Sequence, residues 1–203
     1  TIHYDDLVLA AGATTNFFGN KNIEASALPM KSVSEAMRLR NTILQNLERA
    51  ETEDNEARRQ ALMNIAIVGG GPSGVEIAGA LAEMKRTILP RDYPDLDTSC
   101  MRIYLINAAP RLLGAMAEKS SREAEKALKE LGVEIMAGCM VTDYVDHELI
   151  LKDGSHLPVE TVIWVSGIRA NHIDGIPAES IGRGGRIITD RFNRVKGMEN
   201  VYA

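Results

Sequence analysis

Three features of this 203-residue chain predict an α/β fold, a parallel sheet with helices on both faces plus a small antiparallel β-hairpin section. The first is a β-branched run, Asn64-Ile65-Ala66-Ile67-Val68, that passes directly into Gly69-Gly70-Gly71-Pro72-Ser73-Gly74 and then into an amphipathic helix. The second is the continuation of that rhythm as strand, helix, strand as far as Met136. The third is one hairpin signal, Lys152-Asp153-Gly154-Ser155, between short apolar runs.

In chain order, Leu7-Val8-Leu9-Ala10-Ala11-Gly12 reads as a buried strand closed by glycine, and Phe17 to Pro29 as loop. Ser34 to Arg49 repeats apolar residues at helical spacing (Ala36, Met37, Leu39, Ile43, Leu44, Leu47). The charged stretch Glu48 to Arg59 reads as a connector, a solvated turn before another helical turn. Gly74 to Thr87 carries Val75, Ile77, Ala78, Leu81, Ala82 and Met84 on one helix face. A polar excursion from Lys85 to Cys100 leads to the strand Met101 to Ile106, which ends at Asn107. Glu118 to Leu131 is a second amphipathic helix ended by Gly132, and Val133 to Met136 a third strand. Thr161-Val162-Ile163-Trp164-Val165 returns to a buried strand and stops at Ser166-Gly167, with Trp164 read as core.

Composition narrows the function classes. A hydrophobic share of 45% and a charged share of 25% are globular values, and no apolar run approaches the roughly 20 residues of a membrane span. The expectation is a soluble chain. A net charge of -5 gives no basic field for nucleic acid. Cys100 and Cys139 form no Cys-x-x-Cys pair, the four histidines show no ligand spacing, and Asp92, Asp95 and Asp97 match no Ca²⁺ loop, so no metal site is expected. Neither end reads as a natural terminus: the start lacks a targeting signal, and Glu199 to Ala203 stops at the beginning of a strand, so an excised fragment is expected.

The glycines carry the chemistry. In Gly69-x-Gly71-x-x-Gly74 the first permits a tight turn, the second lets a pyrophosphate approach the backbone, and the third lets helix and strand touch, which is the Rossmann-like signature. Pro72 suits a first-turn position, where its missing donor costs nothing, and the helix start offers N–H groups and partial positive charge to phosphate without a basic side chain. The second strand of such a site ordinarily ends on a carboxylate that accepts from the adenosine ribose. Here it ends on Asn107, which accepts without repelling a 2′-phosphate, and Arg111 is placed to attract one, so NADH is favoured over NADPH only modestly.

The segments Tyr4 to Ala13, Gly69-Gly70-Gly71-Pro72-Ser73-Gly74-Val75-Glu76, Asn107-Ala108-Ala109-Pro110-Arg111-Leu112-Leu113 and Val162 to Gly167 together resemble type II, non-proton-pumping NADH:quinone oxidoreductases of the pyridine nucleotide-disulfide oxidoreductase superfamily. The resemblance spans nearly the whole chain, including the charged linker and the long excursion. It implies an FAD-binding domain into which an NADH-binding domain is inserted. Residues 1–30 would flank the insertion, 31–170 would be the Rossmann-like NAD(H)-binding domain, and 171–203 would return toward the FAD domain. Ala11, Asn107 and Ser166 depart from the family's usual Thr, Glu and Ala.

Carried over residue by residue, the resemblance implies that Gly69, Gly70, Gly71, Pro72, Ser73 and Gly74 hold the pyrophosphate, and that Asn107, Ala108 and Arg111 meet the adenosine end. Ser166 and Gly167 would lie near the nicotinamide, and Ala11 and Gly12 near FAD. Glu76 is the candidate catalytic group at the nicotinamide and flavin edge; the competing reading is a first-turn carboxylate favoured by the helix dipole. The implied cofactors are NAD(H) and FAD, the latter held mostly outside this chain. The implied partners are NADH, FAD and, in the full-length protein, quinone, with a homodimer left open. The implied location is cytoplasmic, with the whole protein peripheral on the cytoplasmic face of the membrane. Two alternatives stay open on the residues alone: a soluble flavin disulfide or ferredoxin reductase, and a non-catalytic NAD-sensing module.

Overall fold

The structure, a computed structural model, describes residues 2–203 and forms two compact units, one of Phe17–Ser166 and one of the N-terminal residues through Asn16 together with Gly167–Ala203.

The larger unit is organised by a five-stranded parallel sheet. Its strands are β3 (Leu28–Pro29), β4 (Ile65–Val68), β5 (Ile103–Asn107), β6 (Glu134–Ala137) and β10 (Thr161–Trp164), in the order β3-β10-β4-β5-β6. The register is regular: Ile65 to Val68 stand opposite Ile103 to Ile106 on one side and Thr161 to Trp164 on the other. All four residues of β4 and of β10 are buried, as a central parallel strand covered on both faces requires.

Strand periodicity divides the apolar residues into two cores. Ile65, Ile67, Ile103, Leu105 and Ile163 face one side. There they pack on α2 (Val33–Thr52), through Leu39, Ile43 and Leu47, on α4 (Pro72–Thr87), through Ile77 and Leu81, and on α6 (Glu118–Glu130), through Leu128. Ala66, Val68, Tyr104, Ile106, Val162 and Trp164 face the other side. That side is covered by the short helix α1 (Lys21–Ser26) and by an antiparallel sheet of β7 (Val141–Val145), β8 (Glu148–Leu151) and β9 (His156–Pro158), whose Tyr144 and Leu149 enter the second core. Trp164 is 4% exposed in that core, as its apolar strand predicts.

Local chemistry accounts for the helix ends. Ser32 Oγ accepts from Glu35 N–H while Glu35 Oε2 accepts from Ser32 N–H, a capping box that starts α2. α6 carries the i, i+4 pairs Glu118–Arg122 and Glu125–Lys129 and stops before Gly132, whose φ of 84° is left-handed.

Four segments differ from expectation. Leu7 to Gly12 is not a buried strand: only Leu7–Val8 pairs as one, and Val8 is exposed. Phe17 to Pro29 is not all loop: Asn20 Oδ1 accepts from Ile23 N–H and opens α1, and Leu28–Pro29 pairs with Ile163 and Trp164 as an edge strand, where a missing proline N–H costs nothing. Six helical residues and two strand residues are too few to reveal a period. Glu48 to Arg59 is mostly helix: α2 runs on to Thr52, and after a break at Glu53–Asn55 comes α3 (Glu56–Met63), capped by Asn55 Oδ1 accepting from Arg58 N–H. The excursion after α4 holds one short helix, α5 (Leu89–Asp92), and a helical turn at Thr98–Cys100 that Asp97 caps, which buries Leu89 and Leu96.

In the smaller unit β1 (Leu7–Val8) pairs in parallel with β12 (Val201–Tyr202), and β2 (Ala13–Thr15) pairs antiparallel with β11 (Ile168–Ala170). No helix among the described residues is long and apolar enough to cross a membrane.

Candidate dinucleotide site

β4 is where the larger sheet changes direction. The chain proceeds from β4 to β5 and β6 on one side, then returns to β10 on the other, so a crevice opens beyond the carboxyl ends of β4 and β10. The glycine turn occupies its floor.

Each glycine answers a different constraint. Gly69 has φ of +128°, and a Cβ there would sit 2.8 Å from the carbonyl carbon and oxygen of Val165. A Cβ on Gly70 would lie 2.7 Å from Asn107 Cγ and from Leu112 Cδ2, and one on Gly74 would lie 1.8 Å from the Gly69 carbonyl oxygen. Gly71 differs: its φ of -78° is ordinary and its Cβ would meet nothing within 4 Å. The fold makes no demand for glycine there, so the space beside it is open to a ligand.

Gly71 is the N-cap of α4 and Pro72 stands in the first turn. A glycine cap has no side chain to turn inward, and the N–H groups of Gly71, Ser73 and Gly74 find no acceptor among the described residues. Three donors at the positive end of a 16-residue helix are arranged as an anion of a phosphate's charge requires.

The turn is braced from the side of β5. Gly70 N–H donates to Asn107 Oδ1 at 3.1 Å, and the Gly70 carbonyl accepts from Leu113 N–H at 2.8 Å. Asn107 Nδ2 donates to the carbonyls of Ala109 (3.0 Å) and Arg111 (2.9 Å). Arg111 turns its Nη2 to the carbonyls of Gly114 (2.8 Å) and Met116 (3.2 Å), and its Nη1 is buried without a partner among the described residues. Ser121, at 2% exposure, donates to the Leu112 carbonyl at 2.7 Å and ties α6 to the same loop.

The larger unit thus brings together Gly69 to Gly74, Asn107, Ala108 and Arg111, with Ser166 beside Gly69 through its Cα. Ala108 and Ser166 are exposed. Glu76 is exposed too, on the second turn of α4 rather than the first, with no hydrogen bond or ion pair among the described residues. Gly167, Ala11 and Gly12 belong to the smaller unit, where the carbonyls of Ala11 and Gly12 accept from the Asn171 side chain and backbone. The reading of the sequence missed the loop bonds of Leu113 and Ser121, which have no local signal because their partners Gly70 and Leu112 lie outside any periodic pattern. The described residues hold no metal-binding cluster. Cys139 is half-buried with its thiol pushed up by burial, while Cys100 is exposed and bonded to Asp97.

An open parallel sheet whose switch-point strand ends in this turn defines an α/β protein of the Rossmann type. The chain belongs to the pyridine nucleotide-disulphide oxidoreductase family, whose model matches residues 1–203. It is 36% identical over 202 residues to the type II NADH:quinone oxidoreductase Ndh of Mycobacterium tuberculosis, covering 98% of this chain and 43% of that protein. It is 31% identical to the mitochondrial external alternative NAD(P)H-ubiquinone oxidoreductase B3 of Arabidopsis thaliana, covering 100% and 36%. Among solved structures, the fold matches that of NDH2 from Plasmodium falciparum in complex with NADH with a TM-score of 0.87 at 23% identity, over 99% of this chain and 43% of that one. The chain therefore spans less than half the length of these relatives.

Proposed function

We propose that this chain is the NAD(H)-binding part, with flanking segments, of an FAD-dependent NADH dehydrogenase that passes a hydride from NADH to FAD and then electrons to a quinone. The observation that carries the reading is the cradle at Gly71: open space beside its Cα and three unpaired N–H groups at the start of α4. These suit a dinucleotide diphosphate in charge and donor count.

In this reading the nicotinamide and flavin supply the redox chemistry, and the protein supplies binding and orientation. Gly71, Ser73 and Gly74 N–H groups hold the diphosphate, and Asn107 with Ala108 and Arg111 forms the wall at the adenosine end. Ser166 lies toward the nicotinamide end. Glu76, one turn into the same helix and exposed, is taken as the titratable group at the nicotinamide and flavin edge. The compact unit Phe17–Ser166 is taken as the NADH-binding part, where the sequence suggested 31–170. The remaining segments, with Ala11, Gly12 and Gly167, are taken as flanks of a domain that holds FAD. The whole protein, in this proposal, attaches peripherally to the cytoplasmic face of the membrane; the names of the relatives support the quinone as acceptor.

Calorimetric titration of the chain with NADH and NADPH tests the reading. Binding of NADH is expected, and binding of neither coenzyme would overturn it.

A further inference from the structure

Asn107 stands where a dinucleotide site of this architecture ordinarily presents a carboxylate to the ribose, but both its donors and one of its two acceptor lone pairs are already committed. A primary amide has two N–H donors and a carbonyl oxygen with two lone pairs. Both donors go to main-chain carbonyls, Ala109 at 3.0 Å and Arg111 at 2.9 Å, and the acceptor takes Gly70 N–H at 3.1 Å. Two carbonyls on one side and one N–H on the other fix which end is nitrogen. A carboxylate in the same place could satisfy Gly70 but would aim an oxygen at two others.

We propose that Asn107 is a positioning residue that clamps the phosphate turn to the Ala109–Arg111 loop, rather than a reader of the ribose hydroxyls. This inference rests on the reading of the turn as a dinucleotide site. The clamp is reinforced from the far side, since Leu113 N–H donates to the Gly70 carbonyl. One peptide unit, Gly70, is therefore held through both its N–H and its C=O by the β5 end and its loop, and the adjoining residue is Gly71, where the ligand space opens. Arg111 spends its Nη2 on the carbonyls of Gly114 and Met116 and buries its Nη1, so its guanidinium stiffens the loop instead of reaching outward. The consequence is a site whose adenosine end carries no charge that repels a 2′-phosphate, and whose cation, Arg111, turns its Nη2 to loop carbonyls. Asn107 then governs affinity for both coenzymes alike.

Asn107→Asp separates the two roles, because a carboxylate is a better ribose acceptor and a worse clamp. The clamp predicts that at pH 8 the variant binds NADH and NADPH more weakly by the same factor, about tenfold, with their ratio unchanged. It also predicts recovery as the pH falls to 6, each value being compared with the unmodified chain at that pH. Facing two carbonyls raises the carboxyl pKa, and the protonated acid regains one donor. The titratable or charged side chains on the segments around Asn107 are Arg111 on the loop, Tyr104 on β5, Arg102 just before β5 and paired with Glu134 at the far end of β6, Glu76, Glu83, Lys85 and Arg86 on α4, and Cys139, whose N–H donates to the Asn107 carbonyl. These are common to both chains and cancel in the comparison. Tighter NADH binding with weaker NADPH binding would overturn the clamp in favour of ribose reading. Amide hydrogen exchange on Asn107→Ala decides without any coenzyme, and so stands even if the unmodified chain binds neither. Faster exchange at Gly70 and Leu113, with Ile67 unchanged, is expected, and unchanged exchange at Gly70 would overturn the proposal.

Discussion

A side-chain carbon on Gly74 would fall 1.8 Å from the carbonyl oxygen of Gly69, so the first and third glycines of the turn are in steric contact through the backbone itself. Neither group is the flexible end of a side chain. Gly74→Ala must push α4 away from the end of β4, and the same motion would disturb the Val165 carbonyl, just beyond β10, that already crowds Gly69. The expected cost is about 3 kcal/mol of stability, read by thermal or denaturant unfolding, with loss of coenzyme binding. Unchanged stability would contradict the geometry.

Gly71→Ala is the matched control. Its backbone is compatible with any residue and its Cβ would enter open space. Stability should change by less than about 1 kcal/mol. Binding of NADH should fall at least about tenfold, because the methyl occupies the path of the diphosphate. A variant that binds as well as the original would remove the ligand role from this position.

Much of this was legible in the sequence because the strongest signals were local and repeated. The β-branched run into the glycines, the two long helices and the Asp153-Gly154 hairpin each carry their own period or turn chemistry, and the strand ends at Asn107 and Ser166 follow from them. What was not legible depended on partners far away in the chain. Leu28–Pro29 is a strand only because β10 offers it an edge. The committed side chain of Asn107 depends on where the Ala109 and Arg111 carbonyls fall. Glu76 missed the first turn because Gly71 is the cap, which starts the helix at Pro72.

The loop beyond β5 is tied to α6 by a buried hydroxyl. Ser121 donates to the Leu112 carbonyl, and Ser121→Ala leaves that carbonyl unpaired in a dry environment. A loss of about 1 to 3 kcal/mol is expected in denaturant unfolding. NADH binding should weaken with it, because Leu113, the next residue, holds Gly70. A stable variant with unchanged affinity would detach this loop from the site.

Tyr144 supplies a pH signature. Its hydroxyl donates to the Val159 carbonyl at 2.9 Å in the second core, and burial, with the charge of Glu160 adding to it, pushes the phenol up to about 12. The folded state thus disfavours the phenolate relative to the unfolded chain, where a tyrosine titrates near 10. Stability from this group is complete below about pH 10 and is lost as the pH rises through 10 toward 12. Burial raises Tyr93 and Tyr104 in the same direction, so the whole chain should weaken in alkali. Tyr144→Phe should cost about 1 kcal/mol at pH 7 through the lost hydrogen bond, and its deficit should shrink or reverse by pH 11. A constant deficit across that range, in denaturant melts, would refute the assignment.

The central claim is that the start of α4 grips the coenzyme diphosphate through main-chain N–H groups. Amide chemical-shift mapping of the isotopically labelled chain during NADH titration tests it most directly. The account predicts the largest, saturable shifts at Gly71, Ser73 and Gly74, with smaller ones at Gly70, Ala108 and Ser166. Saturable binding that leaves the Gly71, Ser73 and Gly74 amides unmoved would contradict it.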